Sequence, residues 1–144
     1  HEVFMTDLFD EWWTQKKAAD QATDRGGHVL ITGLGLGLIV ESMLRIPGRS
    51  VQSITVVERS SDVIHLVGPH LLTRYGDRLK IVNGDAFTWR MPSTRQYSVV
   101  WHDIWPNPHD PSVKSEMDRL ENRYRNCCDW QGFWPAEYYA AESA

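Results

Sequence analysis

A glycine-rich segment follows directly on a short apolar run, and residues 28–37 read HVLITGLGLG. Residues 28–32 predict a short buried strand, and the amphipathic residues 38–46 predict a helix that Pro47-Gly48 ends. Gly33, Gly35 and Gly37 therefore lie in a turn between strand and helix, where a ligand can approach the backbone and free N–H groups attract an anion. The spacing is G-x-G-x-G rather than the G-x-G-x-x-G of dinucleotide-binding folds. A glycine turn that only packs tightly against a sheet also explains it.

Strands and helices are predicted to alternate along the rest of the chain. Further strands are predicted over 53–58, 79–83 and 97–103, and helices over 5–23, from 61 to an interruption at Gly68-Pro69, and over 112–127. This alternation is typical of a parallel α/β sheet with right-handed crossovers. We expect one domain over 1–144, made of an N-terminal helix (1–27), a core (28–110) and a C-terminal helix with an aromatic tail (111–144).

Composition narrows the classes of function. The formal net charge of −4 gives no sequence-wide attraction to nucleic acid or to anionic lipid. The two cysteines, Cys127 and Cys128, are adjacent and build neither a disulfide framework nor a four-ligand zinc site. No apolar run approaches the roughly 20 residues that span a bilayer. We therefore predict a cytoplasmic protein without a metal or a membrane partner.

Acidic residues stand at or just after the ends of three predicted strands. Glu58 ends the second strand, Asp85 follows the third, and Asp103 closes the fourth. Open α/β sheets bind ligands at this edge, so Glu58 could accept the hydroxyls of a ribose and Asp85 an exocyclic amine. An acid at a strand end and an Asn-Gly-Asp turn are also ordinary surface features. Alternation places His102 on the face opposite Asp103, which favours a structural histidine, and we expect Trp101 to be part of the core or to cover the sheet edge.

Four segments together resemble one known family. VLITGLGLG, ITVVERSSDVI, RLKIVNGDAF and YSVVWHD occur in the order and spacing of a class I S-adenosylmethionine-dependent methyltransferase domain. The chain is most similar to the spermidine-synthase-like branch, which also has an apolar residue where Ile31 stands and most methyltransferases have an acid. The resemblance covers residues 28 to about 106. It implies a truncated Rossmann-like parallel sheet in the order 3-2-1-4, flanked by helices, with the aromatic tail or a second copy of the chain covering the open edge of the fourth strand.

The resemblance also implies a cofactor, S-adenosylmethionine, and roles for individual residues. The glycines would pass under its methionine part, and Asp103 would orient or deprotonate the acceptor. Glu58 would bind the ribose, and Asp85 with Ala86 would flank the adenine. The full set of cofactor-binding residues would be Gly33, Gly35, Gly37, Glu58, Arg59, Asp85, Ala86 and Asp103.

Two departures from the spermidine synthases change the expected substrate. Leu36 and Pro106 stand where those enzymes carry acids that hold a cationic polyamine. Neutral residues remove most of that attraction, so aminopropyl transfer to a polyamine is not expected. Methyl transfer to an unknown acceptor is the first hypothesis. The alternatives are a non-catalytic cofactor-binding or interaction module, and another S-adenosylmethionine-consuming reaction such as cleavage or an aminopropyl-type transfer.

Overall fold

A computed structural model describes residues 4–45, 51–93 and 96–143 of the chain. Within these ranges the chain forms five strands and five helices. The strands are β1 (Gly27–Thr32), β2 (Val51–Glu58), β3 (Leu79–Asn83), β4 (Tyr97–His102) and β5 (Cys128–Phe133). The helices are α1 (Phe4–Arg25), α2 (Leu38–Leu44), α3 (Ser61–Tyr75), α4 (Val113–Tyr124) and α5 (Trp134–Ser143). None of the helices in these ranges combines the length and the apolar character needed to cross a membrane.

The strands form one parallel sheet in the order β3-β2-β1-β4-β5. The predicted parallel α/β fold and the order of the first four strands are confirmed. The prediction of a four-stranded sheet with β4 at its open edge is wrong, because β5 pairs along β4 from Tyr97↔Cys128 to His102↔Phe133. The aromatic tail therefore covers this edge as a strand, and a second copy of the chain is not needed there.

Gly132 explains how a strand without β-branched residues fits at this edge. It lies beside Trp101 of β4 in the sheet. A Cβ on Gly132 would come within 2.4 Å of the Trp130 ring and 3.0 Å of the Trp101 ring. Glycine therefore leaves the space that two indole rings occupy, and Trp101 is fully buried in the core, the first of the two roles expected for it.

Helix boundaries depart from the sequence prediction at several points. Helix α3 does not stop at Gly68-Pro69 but continues to Tyr75. A proline within a helix removes one backbone hydrogen bond, but here Gly68 and Leu71 are buried on the packed face of the helix, and this packing offsets the loss. Ser60 caps the helix by accepting from the Val63 N–H at 3.2 Å. Helix α4 ends at Tyr124, and residues Arg125–Cys127 form a 3-10 turn. Pro47-Gly48 lies outside the described residues.

Two hydrophobic layers sandwich the sheet. One layer joins α1, α2 and α3 to alternate residues of the strands, such as Ile31, Val56 and Trp101. The other joins α4 and the segment after β3 to the opposite residues, such as Leu30 and Val100. The sheet is thus buried on both faces, and its carboxyl edge is where polar strand ends meet.

His102 is part of the buried interior, as its position on the strand predicts. Its Nδ1 lies 2.8 Å from the Thr32 hydroxyl and its Nε2 lies 3.0 Å from Gln131 Oε1. The amide nitrogen of Gln131 donates to the Glu121 carbonyl, which leaves Oε1 to face the ring. The network therefore assigns the proton to Nε2, with Thr32 donating to Nδ1. Burial lowers the pKa of His102 from 6.5 to about 4.

The lowered pKa of His102 predicts a loss of stability in mild acid. The unfolded chain takes up a proton near pH 6.5, whereas the folded chain keeps His102 neutral down to about pH 4. Stability from this residue is therefore complete above pH 6.5 and falls as the pH drops toward 4, by about 2 kcal/mol between pH 7 and pH 5. Urea unfolding at several pH values measures it.

The variant His102→Phe separates this effect from the other titrating groups. It is less stable at pH 7, because Thr32 loses its acceptor, but its free energy of unfolding changes less between pH 7 and pH 5. If the free energy of unfolding changes equally with pH in the variant and in the unaltered protein, His102 is not held neutral.

Candidate functional site

A cavity of about 850 Å³ lies at the carboxyl edge of the sheet. Its walls come from the loops after β1 and β4, the end of β2, the turn after β3, and helices α1 and α5. The sequence-predicted residues that line it are Gly33, Gly35, Glu58, Arg59, Asp85, Ala86 and Asp103. Gly37 is not among the lining residues.

Gly33 and Gly37 are required by the packing of the protein itself. Both have positive φ values, 98° and 81°. A Cβ on Gly33 would lie 2.0 Å from the Asp103 carbonyl oxygen, so the loops after β1 and β4 cross in backbone contact. A Cβ on Gly37 would lie 2.8 Å from the Leu71 side chain, so this glycine lets α2 begin against α3. A tight turn thus accounts for two of the three glycines.

Gly35 differs from its neighbours because a Cβ there would meet no atom within 4 Å. Its φ of 51° is left-handed, and it lines the cavity. The backbone is therefore open to a ligand at this position, and Gly35 is the glycine whose environment fits a cofactor cradle.

Glu58 ties the glycine loop to the end of β2. Its Oε1 accepts from the Leu34 N–H at 2.7 Å, and its Oε2 accepts from the Ser60 N–H at 2.8 Å. A carboxylate offers about four acceptor positions. Glu58 can therefore hold the loop and still accept hydrogen bonds from a ligand in the cavity.

Asp85 begins a turn that α4 holds in place. Its Oδ1 accepts from the Phe87 N–H at 2.8 Å. The Tyr124 hydroxyl donates to the Ala86 carbonyl, and the indole N–H of Trp89 donates to the Tyr124 oxygen at 2.8 Å. This turn places Asp85 and Ala86 side by side on the cavity wall.

Arg59 directly follows the end of β2 and is an exposed residue of the cavity wall. Its backbone carbonyl accepts from the side-chain amide of Asn83 at 3.1 Å. The guanidinium brings a positive charge to a wall that otherwise carries carboxylates.

Asp103 is held from two sides. Its N–H donates to the Thr32 carbonyl at 2.8 Å, which extends the β1–β4 ladder by one bond. Its Oδ2 accepts from the side-chain amide of Gln15 in α1 at 2.9 Å. Gln15 is only 5% exposed, so its amide is fixed where it holds the carboxylate. The sequence did not identify Gln15, because 88 residues separate the partners.

Helix α5 contributes aromatic side chains to the cavity wall, which the sequence assigned only to edge cover. Trp134 and Tyr138 line the cavity, with ring centroids 5.3 Å apart. The indole N–H of Trp134 donates to the Thr14 hydroxyl of α1 at 3.0 Å. The Tyr139 hydroxyl donates to the Pro108 carbonyl in the loop after β4. Helix α5 therefore connects α1 to that loop across the cavity.

No protein-family model and no curated protein sequence matches the chain. Within the described residues, no group of three or more His, Cys, Asp or Glu side chains is placed to hold a metal ion.

Solved structures share the fold. The CcbJ methyltransferase from Streptomyces caelestis is similar with a TM-score of 0.62 and 18% identity over 85% of this chain and 50% of that one. The methyltransferase domain of bacterial CtHen1-C has a TM-score of 0.59 and 16% identity over 78% and 57%. The 23S rRNA methyltransferase ErmE has a TM-score of 0.51 and 17% identity over 73% and 40%. The chain has the Rossmann-like fold of class I methyltransferases. It spans between 40% and 57% of the length of these proteins.

The contrast between Gly33 and Gly35 predicts a large difference in stability between two alanine variants. Gly35→Ala introduces a side chain at positive φ without a clash, at a cost of about 1–2 kcal/mol. Gly33→Ala adds an overlap with the Asp103 carbonyl and costs at least about 2 kcal/mol more. Urea unfolding of both variants measures the difference. Equal losses would mean that the two loops do not cross in backbone contact.

Proposed function

We propose that the chain binds S-adenosylmethionine in this cavity and transfers its methyl group to an acceptor held at Asp103. The observation that carries the proposal is the meeting of Gly35, Glu58, Asp85 and Asp103 on one cavity wall, within a fold shared with methyltransferases. These residues come from four different segments of the chain and meet only through the sheet topology.

The residues fit the chemical groups of the cofactor. Glu58 offers acceptors for the ribose hydroxyls, and Asp85 and Ala86 offer an acceptor and an apolar surface for an adenine. The open side of Gly35 leaves room for the methionine part. At about 850 Å³ the cavity lies in the upper part of the range of small-molecule sites, about 300–1,000 Å³, so it has room for a cofactor and a small acceptor.

The chemistry asked of the chain itself is mainly positioning. The bound cofactor supplies a methyl group on a positively charged sulfur. Asp103, held by Gln15, orients the acceptor by accepting a hydrogen bond from its N–H or O–H group. The same carboxylate stabilises positive charge that develops on the acceptor, or takes its proton. Holding the reacting atoms in line lowers the barrier without a covalent intermediate on the protein.

The spermidine-synthase-like resemblance does not extend to a polyamine substrate in this proposal. Pro106 lines the cavity as a neutral residue, and Leu36 is 57% exposed and is not among the lining residues. Two positions that would carry acids in those enzymes thus add no negative charge to the site. Ile31, the apolar residue that supports the resemblance, is fully buried.

A small-molecule acceptor fits this chain better than a nucleic acid. ErmE is named for methylating 23S rRNA, but a net charge of −4 provides little of the phosphate attraction that dominates nucleic-acid binding.

Cys127 and Cys128 are free thiols, which supports the cytoplasmic location that we propose.

Calorimetric titration with S-adenosylmethionine, S-adenosylhomocysteine and methylthioadenosine tests cofactor binding. We expect saturable binding that weakens at least about tenfold, or 1.4 kcal/mol, in Glu58→Gln and in Asp85→Asn. Asp85→Asn is the sharper variant, because the asparagine oxygen can still accept from the Phe87 N–H and so preserve the turn. Glu121→Gln, an exposed acid on α4, is the control and leaves the affinity unchanged.

Failure of all three ligands to bind would rule out the proposed function. Mass analysis of the protein incubated with S-adenosylmethionine also distinguishes methyl transfer from aminopropyl-type transfer. S-adenosylhomocysteine is the product of methyl transfer, whereas methylthioadenosine is the product of aminopropyl-type transfer.

A further inference from the structure

Part of the cavity wall is aromatic and lies outside the residues proposed for the cofactor. Trp105, which is 6% exposed, follows Asp103 by two positions, and Trp134 and Tyr138 come from α5. The indole N–H of Trp105 donates to the Glu116 carboxylate at 3.0 Å. The indole of Trp134 is held by Thr14 at the same distance. The two indole planes are therefore fixed before any ligand arrives, which lowers the entropic cost of binding a flat molecule.

A carboxylate lines the same cavity as these rings. Asp103 lines the same cavity as Trp105 and Trp134, and the Gln15 amide holds its Oδ2. A carboxylate offers about four acceptor positions, so it can hold more than one donor. A carboxylate and aromatic rings that line one cavity both attract a cationic or N–H-bearing group, because ring faces also carry partial negative charge.

The charges of the wall disfavour an anionic acceptor. Glu58, Asp85 and Asp103 are acids, and among the described residues that line the cavity only Arg59 is a basic counterpart. A carboxylate or phosphate entering near Asp103 would be repelled. A linear polyamine has no ring that could pack against the aromatic side chains of the wall.

We infer that the acceptor is a small, non-anionic molecule with an amine on or close to an aromatic ring; this inference rests on the proposed function. The ring packs against Trp134 and Tyr138, and the amine donates to Asp103. The amine lone pair forms the new N–C bond while the S–CH₃ bond breaks and its electron pair stays on sulfur. The methylated nitrogen, now cationic, releases one proton to water, and Asp103 stabilises the charge until it leaves.

Three matched probes test the inference on the full chain saturated with S-adenosylhomocysteine. 2-Phenylethylamine carries both the ring and the amine, 2-cyclohexylethylamine lacks the aromatic ring, and 3-phenylpropionate replaces the amine by a carboxylate. Calorimetry is expected to show that 2-phenylethylamine binds at least about threefold more tightly than 2-cyclohexylethylamine, because aromatic rings gain from pairing, and at least about tenfold more tightly than 3-phenylpropionate.

Variants assign this preference to the two parts of the wall. Tyr138→Leu reduces the preference for the aromatic over the cyclohexyl amine at least about threefold, and Tyr138→Phe, which keeps the ring, restores it. Asp103→Asn reduces the preference for the amine over the carboxylate and leaves the aromatic preference in place. Circular dichroism and S-adenosylhomocysteine affinity check that each variant is folded.

The outcomes separate the two proposals. Absence of S-adenosylhomocysteine binding to the unaltered chain contradicts the proposed function itself. If S-adenosylhomocysteine binds but the cyclohexyl amine or the carboxylate binds as tightly as 2-phenylethylamine, the inferred acceptor class is wrong and the cofactor site stands. A single-stranded RNA oligonucleotide that binds more tightly than all three probes also overturns the inferred class. Methylated 2-phenylethylamine, detected by mass analysis with S-adenosylmethionine present, would support it directly.

Discussion

The backbone crossing at Gly33 is the contact on which the site depends. The Gly33 N–H donates to the Val57 carbonyl at 2.8 Å, and the Asp103 N–H donates to the Thr32 carbonyl at 2.8 Å. The Asp103 carbonyl then occupies the space that a side chain at position 33 would need. These contacts use only backbone atoms, so they hold the ends of three parallel strands together whatever side chains surround them. Glu58 and Asp103 reach one cavity because β1 lies between their strands and its loop is tight enough to let both approach.

An acid at the end of a strand can have a structural role or a ligand-binding role, and Glu58 shows why its sequence position fits both. Its carboxylate accepts from two backbone N–H groups, one in the glycine loop and one before α3. Those bonds alone would be a sufficient reason for an acid at this position, since an unsatisfied buried N–H is costly. The same bonds fix the orientation of the carboxylate toward the cavity. A structural role and a ligand-binding role are therefore compatible at Glu58.

Local patterns predicted the parts of the fold that depend on neighbouring residues. The apolar runs identified β1 to β4, and the acids at the strand ends identified the carboxylates of the cavity wall. β5 was missed because CDWQGF has no β-branched residues and its alternation of apolar and polar residues stops after Gln131. Its fit depends on the space that Gly132 leaves for two indoles. The continuation of α3 through Pro69 depends on burial that only the folded sheet provides. Gln15 and Thr14 were missed for a similar reason: their partners are 88 and 120 residues away.

The register of β5 on β4 also determines which residue lies next to Asp103. His102 pairs with Phe133 at the end of the β4–β5 ladder, so the next residues in each chain segment are Asp103 and Trp134. A slip of one residue in this register would turn every β5 side chain to the opposite face of the sheet. Gly132 opposes such a slip, because a larger residue beside Trp101 would collide with its ring. The glycine that lets β5 cover the sheet edge thus also sets Trp134 against Thr14 and the cavity. In this chain, protection of the edge and the shape of the proposed acceptor site are consequences of one strand register.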